Sequence, residues 1–223
     1  MGLTINYRLS LKNAQVDQVR EKIDLLRKIA LKMPFSHVGK LVEVDEDNNQ
    51  LENDDGYLFL KLQGKRYVEI ENDNFTVIEP KYLIGFETLP GEGSEYAGFG
   101  LATHSEIDSV NDWCWMSFCK TQYASNPKYG GIENFLKCHL MIVKLLDEAK
   151  KIGIIIEVID EGDYWETRNI EELVNNVGEW NTLIAAFAGK IADELSEVDF
   201  TNISAPIFDY PNFEYLEAEG NEG

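Results

Sequence analysis

The feature that most constrains this chain is a switch of apolar period in its second half. Residues 112–120 (DWCWMSFCK) read as a strand, a Pro/Gly loop leads to Gly130 and Gly131, and a helical stretch then runs from 132 to 151. Gly153 stands at the C′ position, where glycine commonly ends a helix, and the run Ile154-Ile155-Ile156-Glu157-Val158-Ile159 follows. A short, almost unbroken apolar run is the pattern of a strand covered on both faces. Strands joined through a helix of this length are expected to run parallel. The second half therefore predicts a βαβ unit.

The first half follows a different rule. Leu3, Ile5, Tyr7, Leu9 and Leu11 alternate with Thr4, Asn6, Arg8 and Ser10, which predicts a half-buried strand. Asn13 is placed to cap a helix reaching about Lys32, with Pro34 just past its end. Its stripe of Val16, Val19, Ile23, Leu26, Ala30 and Met33 marks a face for the core. Short strands are expected at about 40–44, 57–62, 66–71, 75–79 and 82–88, separated by Asp54-Asp55-Gly56, Gln63-Gly64-Lys65 and Asn72-Asp73-Asn74.

Residues 89–100, with Pro90 and glycines at 91, 93, 98 and 100, read as a loop dividing sub-halves 1–90 and 91–223 of a single domain, 1–223. Asn169 followed by Glu172 forms a capping box that opens a last helix. The stripe there is Leu173, Val177, Trp180, Ile184, Phe187 and Ile191, with Gly178 and Gly189 as points where it would bend or break. The tail, 197–223, carries Pro206 and Pro211 and is expected to be extended. The fold class expected is α+β: a mixed, largely antiparallel sheet packed by three main helices.

Charge narrows the choice of partner. Forty acidic residues against twenty basic ones give −20, a sign that repels phosphate backbones, so no nucleic acid is expected as a partner. A basic protein or a small polar ligand, cationic or polyol, fits that field better. No run reaches the 18 apolar residues of a membrane span, and the N-terminal LTINYRLSL lacks the apolar core of a secretory signal. With three cysteines and no CxxC, reduced thiols and a cytoplasmic setting are the expectation, with no membrane contact. His37, His104 and His139 lie too far apart for a metal finger, so neither metal nor cofactor is expected.

Several segments imitate functional motifs. DEDNNQLENDDG (45–56) alternates acids like a calcium loop, but Gln50 stands where the turn glycine belongs and Gly56 where the bidentate glutamate belongs, so a solvated loop is expected. LPGEGSEYAGFG (89–100) has no GK[ST] and opens no helix, which points to turns and close strand packing. Cys138 and His139 are adjacent on a helix and therefore diverge by about 100°. His139 falls in the apolar stripe with Phe135, Ile142 and Leu146, so a satisfied core histidine is expected, the alternative being a site histidine whose buried imidazole takes a ligand as its partner. Trp113 and Trp115 share a strand face and read as core.

If strands 112–120 and 154–159 are parallel, their C-terminal ends lie together, where open α/β sheets bind ligands. That gathers Lys120, Gln122 and Tyr123 with Asp160, Glu161, Asp163, Tyr164 and Trp165, while the helix start at Gly130 and Gly131 opens towards them. The preferred reading is an intracellular binding protein for a basic partner or a cationic or polyol ligand. The alternative is a small metal-independent enzyme using Asp160, Glu161 or Asp163 as acid and base. The thiol reading is checked directly: Cys114, Cys119 and Cys138 should all titrate after anaerobic denaturation without reductant, whereas one reactive thiol would mean a native disulfide.

Overall fold

In the computed structural model, residues 3–45, 55–71, 74–104, 107–109, 111–196 and 206–222 are described. The alternating N-terminal segment forms β1 (Thr4–Leu11), and the 3-4 stripe that follows forms α1 (Val16–Ala30). Next come β2 (His37–Val38), β3 (Val42–Asp45), α2 (Asp55–Gly64), the hairpin β4 (Arg66–Glu71) and β5 (Asn74–Ile78), β6 (Tyr82–Leu89), β7 (Ala97–Thr103) and β8 (Trp113–Lys120). After two 3-10 turns, α3 (Gly131–Lys151), β9 (Ile155–Asp160), α4 (Tyr164–Thr167), α5 (Ile170–Ser196) and α6 (Phe213–Glu222) complete the chain.

The fold is α+β. Among the described residues the main sheet has seven strands in the order β2-β6-β7-β8-β1-β9, with β3 also pairing β6. Every pairing in it is antiparallel. The βαβ unit is present in split form. β8 and β9 both run antiparallel to β1, so they are parallel to each other with β1 inserted between them. Thr4 stands opposite Lys120, and Ile5 opposite Asp160. The two strand ends are thus separated by one strand, about 10 Å from two spacings of about 4.8 Å.

The core lies on the face of β1 that carries Ile5, Tyr7 and Leu9, under Val19, Ile23 and Leu26 of α1 and Ile142, Leu146 and Ala149 of α3. Trp113 and Trp115 are buried there, as their shared face predicts. β6 and β7 are buried along almost their whole length. An added Cβ at Gly100 on β7 would stand 2.8 Å from the carbonyl oxygen of Ile84 on β6, so this glycine sets a close backbone approach. Glu87 on β6 is buried with Oε2 lacking a hydrogen-bond partner among the described residues, and Oε1 lies 3.5 Å from His37 Nε2.

Several local expectations give way to packing. Residues 57–62 belong to helix α2, not a strand, because Tyr57, Leu60 and Gly64 face the core at helical spacing. Asp55-Gly56 and Gln63-Gly64 are consequently the two ends of a helix rather than turns. Gln15, not Asn13, is the N-cap of α1, and its N–H donates to Gln18 Oε1. Asn13 instead adopts a positive φ of 54° while its N–H reaches Asp112 Oδ1. The loop between β6 and β7 covers only 90–96, since Ala97–Thr103 is a strand of the same sheet.

β9 is not covered on both faces: it is an edge strand, with Ile155 and Ile159 facing outwards. α5 continues through Gly178 and Gly189. Asn169 does cap it, accepting from the N–H groups of Glu171 and Glu172. Within the tail, 206–222 is helical rather than extended, because Ile207, Tyr210 and Leu216 bury against Ala185 and Ala188 of α5. The remainder of the acidic segment, 46–54, the turn residues 72–73 and the tail residues 197–205 lie outside the described residues.

Replacing Gly100 by alanine should destabilise the fold by about 1–3 kcal/mol, the usual cost of forcing atoms into a packed site. Gly178, in mid-helix with nothing within 4 Å of an added Cβ, should gain about 0.5–1 kcal/mol on the same change. Urea midpoints measured side by side check both. A Gly100→Ala variant as stable as the wild type would contradict the close β6–β7 approach.

Candidate functional site

At the ends of β8 and β9 the chain turns inwards and buries polar groups. Directly after β8, Thr121 donates its N–H to the Leu3 carbonyl. The Gln122 amide then accepts from Leu3 N–H at 3.1 Å and donates to Asn181 Oδ1 of α5 at 3.0 Å. Asn181 Nδ2 donates to Ser125 Oγ at 3.0 Å, and Ser125 Oγ meets the Tyr210 hydroxyl at 2.9 Å. This chain of bonds fastens the start of β1 to α5 and to the C-terminal segment.

A second line of bonds is centred on His139. α3 carries its imidazole into the same layer, with Nδ1 3.0 Å from Thr121 Oγ1 and Nε2 3.1 Å from Asp160 Oδ2. Asp160 Oδ1 also accepts from Gly162 N–H, and Oδ2 from Trp165 N–H, each at 2.9 Å. A carboxylate only accepts, so Nε2 carries a proton and donates to it. Burial pushes the Asp160 carboxyl up, but the hydrogen bond and charge of His139 and the two backbone donors outweigh it. The net shift is downwards.

Carboxylate, imidazole and hydroxyl in a row is the geometry that activates a hydroxyl nucleophile in hydrolases. Here it is closed to substrate: Thr121 and His139 are 0% exposed and Asp160 4%. Burial pushes the Cys119 and Cys138 thiols up, which disfavours thiolate chemistry at either. Tyr210 is pushed up to about 12, by burial against the smaller opposing effect of its Ser125 bond. The cluster braces the fold.

The eight residues expected to gather at this end of the sheet do so, but they divide between the interior and the rim. Gln122 and Asp160 are inside the bonded layer. Lys120 Nζ lies 4.5 Å from the centroid of the Tyr123 ring. Glu161 is exposed, and its carboxylate accepts from Thr4 N–H at 2.9 Å. Asp163 is exposed at a positive φ of 58°. Tyr164 stands edge-on to His139, 6.4 Å between centroids. The face of Trp165 is taken by the Arg168 guanidinium at 4.6 Å, itself held by both oxygens of Asp147. The start of α3 is likewise engaged, since Gly131 N–H donates to the Asn126 carbonyl.

Sequence reasoning did not find Thr121, Ser125, Asn181 or Tyr210. Isolated polar residues carry no periodic signal, and the bonds Thr121–His139, Asn181–Ser125 and Ser125–Tyr210 span 18, 56 and 85 residues of the chain.

The accessible surface lies elsewhere, on the outer face of β9, β1 and β8. Cross-strand register lays out three rows: Ile155-Ser10-Cys114, Glu157-Arg8-Met116 and Ile159-Asn6-Phe118. Ile155 is 52% exposed, Ile159 71%, Met116 56% and Phe118 48%. An open groove of about 350 Å³ runs between Asn6, Arg8, Met116, Phe118, Glu157 and Ile159. Arg8 donates through Nε to Cys114 Sγ at 3.1 Å and holds Glu157 only loosely, at 3.8 Å. A neighbouring groove is lined by Met116 together with Lys65, Arg66 and Tyr67 at the start of the hairpin, and the Arg66 guanidinium donates to Met116 Sδ at 3.1 Å.

No described helix is long and apolar enough to cross a membrane, and no group of three or more metal-ligating side chains occurs among the described residues. Comparison of the chain with protein-family models, curated proteins and solved structures finds no match.

The brace makes a pH-dependent prediction. The folded pKa of Asp160 lies below its unfolded value near ~3.9. Its contribution to stability is therefore complete above that value and is lost as pH falls through the folded one. Asp160→Asn should cost about 1–3 kcal/mol at pH 7 by leaving buried donors poorly matched, and the deficit should shrink near pH 3. Urea unfolding of both proteins across that range checks it. A deficit independent of pH would mean the carboxylate charge has no part in the brace.

Proposed function

We propose that this chain is a binding module that engages a basic protein segment on the uncovered outer face of β9, β1 and β8. The observation that carries this reading is the exposure of Met116, Phe118, Ile155 and Ile159 in ordered cross-strand rows with Glu157 among them. Exposed large apolar side chains on a folded domain commonly mark an interaction site, and here they flank the polar outward residues Asn6, Arg8 and Ser10 of β1. A net charge of −20 favours a partner of opposite sign and accelerates its approach. The enzyme alternative draws less support, because Asp160 is committed to internal bonds, and Glu161 and Asp163 line neither of the grooves described above.

A fluorescent peptide alternating leucine with lysine serves as the probe. It should bind at low salt, and association should slow as the Debye length falls from about 10 Å at 0.1 M to about 3 Å at 1 M. Met116→Asp and Phe118→Asp, both at exposed positions, should weaken binding about tenfold or more while leaving the urea midpoint close to wild type. Unchanged affinity in both variants, or equal binding of a leucine–glutamate peptide, would overturn the reading.

A further inference from the structure

We infer that β9 is a strand-addition site: an extended segment pairs antiparallel with its free edge, presenting a basic residue opposite Glu157 and apolar residues opposite Ile155 and Ile159. The inference rests on the binding reading above and adds the partner's conformation and its side-chain pattern.

Three observations converge on it. Among the described residues β9 ends the sheet, so every second N–H and C=O along Ile155–Asp160 points away from β1. Natural edges are commonly guarded by lysine, proline, a bulge or extreme shortness. β9, with the sequence IIEVID, has no lysine, proline or bulge and pairs with β1 without a break from Ile155 to Asp160, so its one outward charge is Glu157. Its outward side chains are Ile155, Glu157 and Ile159, two of them β-branched and more than half exposed. An added strand would extend the apolar rows of the outer face and cover both isoleucines.

Charge identifies the occupant. A second copy of the chain, paired in the register that overlaps 155–159 fully, sets Glu157 against Glu157, and each copy carries −20. Like charges directly opposite destabilise a pair of strands, and opposite charges stabilise it. A segment patterned apolar-x-Lys/Arg-x-apolar satisfies all three outward positions. The loose Arg8 contact, at 3.8 Å between exposed side chains, leaves Glu157 available to it.

The test uses the full chain and the capped peptide Thr-Val-Thr-Lys-Thr-Val-Thr, with binding followed through the amide NMR shifts of Ile155–Asp160. In an antiparallel pair, residues of one parity direct both N–H and C=O at the partner strand. N-methylation of the peptide at one parity should therefore abolish binding, and at the other parity leave it within about threefold, since those amides point to solvent. Replacing the peptide lysine by glutamate should weaken binding about fivefold, the upper range for an opposed charge pair, and Glu157→Lys should reverse that preference.

Equal effects of methylation at both parities, shifts confined to Met116 and Phe118, or no binding at millimolar peptide would each overturn strand addition. The aspartate variants at 116 and 118 judge the broader binding reading independently, so failure of the edge and failure of the face are distinguishable.

Discussion

Insertion of β1 between two parallel strands is the constraint on which the rest of this structure depends. A split crossover leaves a one-strand gap between β8 and β9, and β1 fills it running the opposite way. Both backbone edges of β1 are used, from Thr4 to Leu11 on one side and from Ile5 to Ser10 on the other. Its start is held at both flanks: Leu3 bonds to Thr121 and Gln122, and Thr4 exchanges bonds with Glu161. A slip of one residue would send Ile5, Tyr7 and Leu9 to solvent and carry Arg8 into the core.

The polar layer beside that strand follows from the same geometry. Wherever a sheet ends and its chain turns inwards, backbone and side-chain groups lose water and need other partners. They are supplied by a circuit of two hydrogen-bonded lines, Thr121–His139–Asp160 and Gln122–Asn181–Ser125, that start from adjacent residues after β8. Deleting one member of such a circuit strands the others, which costs more than the net worth of any single bond. The circuit joins β1, β8, α3, β9 and α5, so it ties the sheet to the helices through direction-specific contacts as well as apolar burial.

Exposure and charge are distributed unevenly as a result. The face of the sheet beneath α1 and α3 is sealed, whereas the outer rows of β9, β1 and β8 remain open. Exposed Ile155 and Ile159 on an edge strand would ordinarily invite self-association. A net charge of −20 opposes contact between like copies while leaving the surface available to a basic partner.

Much of the local structure was legible in the residues. The period of two in 3–11, the stripes of α1 and α3 and the start of the α5 stripe at Leu173 and Val177 each encode a buried face, because side-chain direction follows backbone period. Phe187 of that last stripe is exposed, and Ala185 and Ala188 are buried instead. The parallel relation of β8 and β9 was legible too, since their separation demands a crossover. Tertiary packing decided the rest. YLFLKL at 57–62 suits a strand or a helix, and contact of Tyr57 and Leu60 with the core selected the helix. The apolar run at 154–159 suggested a strand covered on both faces, but β9 took the edge of the sheet beside β1 and left Ile155 and Ile159 exposed, because apolar content does not name a strand's neighbours. His139 announced the need for a partner, but only the crossover brought Asp160 to 3.1 Å, because a pairing across 21 residues leaves no trace in periodicity.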